Sequence, residues 1–167
     1  VAAGPARAQV VTSLPLYPID RDSCTLVFDA AQGNGELLNV TPPIYAHTGV
    51  ITDQSASPSD WKYVVAGWTE NTPKALMTPL GNNRYQLKIK PSVRGYYNVP
   101  TQETILKMAF VFRNADGSKV GRNEDGSDIF VDIYPDELSV NIVQPDQDNL
   151  FPKAGDTLLV SAVSPAA

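Results

Sequence analysis

Ile105-Leu106-Lys107-Met108-Ala109-Phe110-Val111-Phe112 is the stretch on which the fold turns. Successive side chains of a strand point to opposite faces. Leu106, Met108, Phe110 and Phe112 are therefore expected on one face, and Ala109 and Val111 on the other. Both faces are apolar, which marks a central strand covered on both sides. Shorter runs rich in Val, Ile, Leu, Tyr and Phe surround it, at 23–28, 43–51, 61–66, 84–90, 128–134, 138–143 and 157–163. Such runs read as strands. Tyr85, Leu87 and Ile89 alternate with polar residues and share a face. Turn chemistry separates the runs: Gln32-Gly33-Asn34-Gly35, Gly81-Asn82-Asn83, Asp116-Gly117-Ser118 and Asp125-Gly126-Ser127. The pattern predicts an all-β fold, an antiparallel immunoglobulin-like β-sandwich from about Val10 to Tyr134. Only short helices are expected. Ser92 is placed to cap one turn, and Pro100-Thr101-Gln102-Glu103-Thr104 to open another.

The two ends read differently. Residues 1–8 resemble the tail of a secretory signal peptide, because Ala6-Arg7-Ala8 is a small-x-small cleavage pattern that makes Gln9 the first mature residue. An ordinary N-terminal extension is the other reading. The domain proper is expected over 9–135. Residues 136–167 are expected to begin a second immunoglobulin-like domain: a strand at Leu138–Val143, the turn Gln144-Pro145-Asp146, then Gly155-Asp156-Thr157 and a second strand. An open pair of strands is marginal alone. The alternative is that this segment completes the first sandwich.

Composition excludes several classes. The 167 residues carry a net charge of −5, with no cluster of Lys or Arg. Phosphate neutralisation needs a clustered basic surface, so nucleic acid is not an expected partner. No apolar run reaches 18 residues, so no membrane insertion is expected. A neutral ligand such as a sugar is compatible with the acidic surface. The single cysteine, Cys24, has no disulfide or metal partner among other cysteines and reads as a small buried hydrophobe. No matched pair of acid and base carboxylates is marked by spacing. Nucleophile, phosphate-loop and dinucleotide motifs are absent too. The chain is expected to be non-catalytic, without cofactor and without a metal site.

Candidate binding residues crowd one segment. Between Ile44 and Trp68 lie Tyr45, His47, Trp61, Tyr63 and Trp68, which include both tryptophans and the only histidine. A sugar ring has an apolar face of C–H bonds and a rim of hydroxyls. Exposed rings stack on the face, and neighbouring polar groups bond the rim. Trp61 follows the loop sequence Ser55-Ala56-Ser57-Pro58-Ser59-Asp60, and Trp68 stands where a strand gives out. Core packing is the competing reading for both. His47 is either a donor to a sugar hydroxyl or a structural histidine. The Asp-Gly turns are too short and too poor in ligands for a calcium loop and read as polar turns. From this region Asn123 and Arg113 are the residues placed to reach a ligand.

These residues also carry a family likeness. Ile44 to Thr52, Ser59 to Val64, Trp68-Thr69, Met77, Met108 to Ser118 and Asp128 to Val131 resemble the N-terminal modules of secreted Bacteroidetes α-amylase-family proteins, and small starch-binding carbohydrate-binding modules. The resemblance covers roughly residues 15–134. It implies a module that recognises α-glucan polysaccharide or oligosaccharide, secreted or held at the cell surface, with a catalytic domain downstream in the same chain. It gives His47 and Trp68 the ligand-holding roles, with Tyr45 at a matching position; Trp61, in an insertion that the small modules lack, and Asn123 join the candidate site on the reading of the residues alone. The tryptophan usual in such modules just after the Asp116-Gly117 turn is absent, and Lys119-Val120-Gly121-Arg122-Asn123 stands in its place. The alternative function is a structural spacer packed against the catalytic domain. Exposed, coplanar rings favour binding; buried rings favour the spacer.

Overall fold

The structure, a computed structural model, describes residues 9–136 together with the backbone of 141–144 and 161–163. In order, these residues form β1 (Val11–Leu14), β2 (Cys24–Asp29), β3 (Ile44–Thr52), β4 (Thr78–Gly81), β5 (Arg84–Ile89), α1 (Val93–Tyr97), β6 (Ile105–Asn114), β7 (Val120–Gly121), β8 (Ile129–Asp132), β9 (Asn141–Gln144) and β10 (Ser161–Val163). One sheet runs β1-β2-β5-β4. The second holds β3 against β6, whose other edge is shared by β7 and β8. All these strand pairs are antiparallel. The protein is an all-β sandwich. β9 and β10 pair antiparallel in a sheet of their own. The other residues of the expected second domain, and the expected signal-peptide remnant at 1–8, lie outside the described residues.

The core follows from alternation. Leu26 and Phe28 of β2 and Leu87 and Ile89 of β5 face Ala46 and Val50 of β3 and Met108, Phe110 and Phe112 of β6. Phe28 and Phe112 stack across the sandwich with centroids 4.1 Å apart and planes 17° apart. Truncating a ring packed like this costs about 3–5 kcal/mol. Cys24 lies in this core, and burial pushes its thiol up to about 11, which keeps it inert. Ser92 caps α1 by accepting from Gly95 N, as its sequence position predicts. The segment at 100–104 stays a turn and forms no helix.

Two readings of the sequence need correction. Leu106 is 45% exposed, not part of the core face. The register shifts between Ile51 and Thr52, whose partners are Lys107 and Ile105, so Leu106 is the extra residue of a bulge. A bulge reverses the alternation beyond it, and Ile105 takes the buried place. The 61–66 run is not a strand. Lys62 exchanges two backbone bonds with Val50, at 2.8 and 2.9 Å, and Val65 donates to Thr48 O, but Tyr63 between them has φ 52°. That left-handed residue breaks the extended ladder.

The chain crosses between sheets on both sides. Ala75–Met77 bonds along β3 (Ala46 N to Ala75 O and Met77 N to Ile44 O, both 2.9 Å) before entering β4 of the other sheet. After β1, the chain reaches the second sheet, where Ile19 bridges Tyr134 in parallel. The segment 53–76 is thus held along the free edge of β3 at both ends, and its middle carries the two tryptophans.

Candidate functional site

Tyr45, His47 and Gly49 alternate on the outer face of β3, and their cross-strand partners on β6 are Arg113, Val111 and Ala109. Gly49 keeps this face open to the 62–64 backbone: a β-carbon there would lie 2.9 Å from Lys62 O. That close approach seats Trp61 over the neighbouring position. Trp61 and His47 stack with centroids 5.6 Å apart and planes 26° apart. Trp68 meets the same imidazole edge-on, at 5.1 Å and 73°. The two tryptophans therefore flank His47 at different angles. Trp68 is 37% exposed, and Trp61, His47 and Tyr45 are half-buried.

Residues 67–72 reach from β3 across to β6 because Arg113 holds them there. Arg113 Nη2 donates to Glu70 O at 2.9 Å, and Nη1 to Asn71 Oδ1 at 2.8 Å. Nη1 also donates to Asn114 O and Ala115 O, at 3.0 and 3.2 Å. Asn71 Nδ2 completes the bracket by donating to Ala115 O at 3.1 Å. The guanidinium carbon lies 5.1 Å from the Tyr45 ring centroid, so that ring covers the bracket. Gly117, in the turn after β6, forms the far wall: a β-carbon there would sit 2.9 Å from Trp68 Nε1.

The electrostatics keep His47 neutral. Burial lowers its pKa most, and the Arg113 charge lowers it further; a hydrogen bond to the Ala66 backbone opposes both. Asp128 and Arg122, ion-paired with each other, act on it in opposite directions. A neutral imidazole has one nitrogen that donates and one that accepts, and either can meet a hydroxyl.

The structure thus brings His47, Trp61 and Trp68 together, with Tyr45 alongside. Their rings are not coplanar. Arg113 is 2% exposed; both its Nη atoms are on protein acceptors, and its Nε is buried without one, so the guanidinium holds the loop and is not open at the surface. Asn123 is held within its own turn: its Nδ2 donates to Ser127 Oγ and Asp128 O, at 3.1 and 2.8 Å. The sequence reading missed the bracket of Glu70, Asn71 and Gly117. Its one legible signal was an arginine ending the most apolar strand of the chain. Among the described residues, no group of three His, Cys, Asp or Glu side chains is placed to hold a metal ion. No helix among them is long and apolar enough to cross a membrane.

No curated protein matches the chain. Residues 11–120, from β1 to the start of β7, match a family described as "Domain of unknown function (DUF8578)", and the chain belongs to that family.

Proposed function

We propose that this chain is a non-catalytic, secreted module that binds starch-like α-glucan through Trp68, His47 and Trp61, and that it is appended to a glycoside hydrolase of the α-amylase type. The observation that carries the reading is the convergence of both tryptophans on the one histidine at the outer face of the second sheet. Two ring surfaces beside a neutral hydrogen-bonding group are what a sugar's apolar face and hydroxyl rim require. The angle between the rings bears on linkage. The coplanar platform named as the sign of binding is not met; angled rings fit a ligand whose successive sugar faces turn, as in a curling α-linked glucan, and not a flat β-linked ribbon. The arrangement is shallow, so binding is weak, in about the micromolar to millimolar range. Tethering to an enzyme makes weak binding effective by raising local concentration on the polymer.

Titration of the intrinsic tryptophan fluorescence with maltoheptaose tests this. Saturable quenching is expected, with Trp68→Ala reducing the affinity at least tenfold, and cellohexaose giving little response. An unchanged spectrum with both sugars would reject the reading.

The spacer function remains a second reading because Trp61 and Tyr45 are half-buried and the rings pack on one another. In that case the same patch is covered by the neighbouring catalytic domain.

A further inference from the structure

A second concave feature lies between β1 and β8, where one edge of each sheet comes together. Its volume is about 1090 Å³, and Val11 and Ser13 of β1 and Ile129 to Asp132 of β8 line it. The ligand pockets of proteins typically span about 300–1,000 Å³, so this cleft matches a ligand at or above drug size. Three rings border it, Tyr17, Phe130 and Tyr134, and Tyr17 meets Tyr134 edge-to-face at 5.1 Å. Gln9, Gln32 and Asn123 supply amides, and Glu124, Asp125 and Asp132 supply carboxylates. Among the described residues lining it there is no lysine or arginine. Within the described residues β1 pairs only with β2, and β8 only with β6. No other strand among the described residues pairs with the backbone groups along their other edges.

From this lining we infer that the cleft is a second binding site, separate from the His47 patch, and that its ligand is a neutral oligosaccharide. Without a cation, the cleft offers nothing to an anion. Rings suit sugar faces, and amides and carboxylates suit hydroxyls. A peptide adding as a strand would use the same edges. Each edge is only four residues long and the two belong to different sheets. That gives an added strand less ladder than the usual five or six residues, roughly. Two sites on one module also let a polymer engage both, so that the second contact becomes intramolecular.

The test is an NMR titration of the intact 167-residue chain with maltoheptaose, cellohexaose and a lysine-rich nonapeptide. The backbone amides of Tyr17, Phe130 and Tyr134 and the Gln32 side-chain amide report on the cleft; the two indole N–H signals report on the aromatic patch. At least one sugar is expected to move the cleft signals saturably, and to do so equally in Trp68→Ala. Gln32→Ala with Asp132→Ala, both off the core, should weaken that event by roughly tenfold. Cleft signals that move while the indoles stay still support this site and refute the proposed function. Cleft signals that stay still with both sugars overturn the inference, as do signals that move with the peptide alone. The Trp68→Ala titration needs no cleft substitution and decides the matter even where the double variant fails to fold.

Discussion

Arg113-Asn114-Ala115-Asp116-Gly117-Ser118 and Arg122-Asn123-Glu124-Asp125-Gly126-Ser127 are near-copies in sequence, and their turns are near-copies in structure. In each, the asparagine carbonyl accepts from the glycine N–H, at 3.2 and 3.0 Å. The serine N–H of each donates to the aspartate Oδ1, at 3.0 and 2.9 Å, and each asparagine Nδ2 donates to the serine Oγ. Both glycines have left-handed φ, 73° and 80°. The surroundings differ. Gly117 backs onto the Trp68 indole, whereas a β-carbon on Gly126 would meet nothing within 4 Å. Arg113 is buried and brackets a loop; Arg122 keeps a partly exposed ion pair with Asp128. Local sequence dictates a turn, but its role comes from what the rest of the chain sets beside it.

The arginines should separate most. Arg113→Ala removes the guanidinium donor from the Glu70 carbonyl and Asn71 Oδ1, while the Asn114 and Ala115 carbonyls keep Gly117 N–H and Asn71 Nδ2; with charge-assisted bonds worth about 1.5–3 kcal/mol each, a loss of about 3 kcal/mol or more is expected in urea unfolding. Arg113→Lys should recover little, because a point charge cannot reproduce the fork. Arg122→Ala should cost under about 1 kcal/mol, as for other partly exposed pairs. Equal losses at the two positions would break the contrast.

The glycines come next. Gly126→Ala should cost about 1–2 kcal/mol from the left-handed backbone alone. Gly117→Ala should cost the same strain and also displace the Trp68 ring, read as a shift in its indole N–H resonance and a weaker maltoheptaose affinity. If both variants leave the indole signal in place, Gly117 is not a wall of the patch.

The smallest effect concerns pH. The folded His47 pKa lies below the ordinary 6.5. As pH falls past 6.5, the unfolded chain takes up the proton first, so folding stability should decline until the folded imidazole also protonates. Above 6.5 the contribution is fully present. His47→Gln should flatten this slope in unfolding curves collected between neutral and mildly acidic pH; an identical slope would assign the titration to another group.

The sandwich was legible because its central strand is apolar on both faces and its neighbours alternate. Phe110, Phe112, Leu87 and Ile89 announce their positions by period alone. Leu106 was misread because a bulge leaves no mark in the apolar pattern. The 61–66 run was misread because Tyr63, a residue of high strand propensity, takes a left-handed backbone where tertiary contact overrides that propensity. At the site, the crowding of His47, Trp61 and Trp68 was visible as sequence proximity. The angle of the rings was not, since it depends on Arg113 drawing residues 70 and 71 across β3. Where Asn123 sits relative to the rings was not legible either, because its turn, so like the first, carries no record of which neighbour it faces.

The central claim is that the angled tryptophans hold α-glucan. Native electrophoresis of the intact chain through gels with and without soluble starch measures this directly, with Trp68→Ala, Gly126→Ala and a cellulose-derivative gel as controls. The account predicts retardation of the wild type and of Gly126→Ala in starch alone, and free migration of a folded Trp68→Ala. Wild-type protein that migrates unhindered through starch, or a folded Trp68→Ala that is retarded as strongly as wild type, would contradict it.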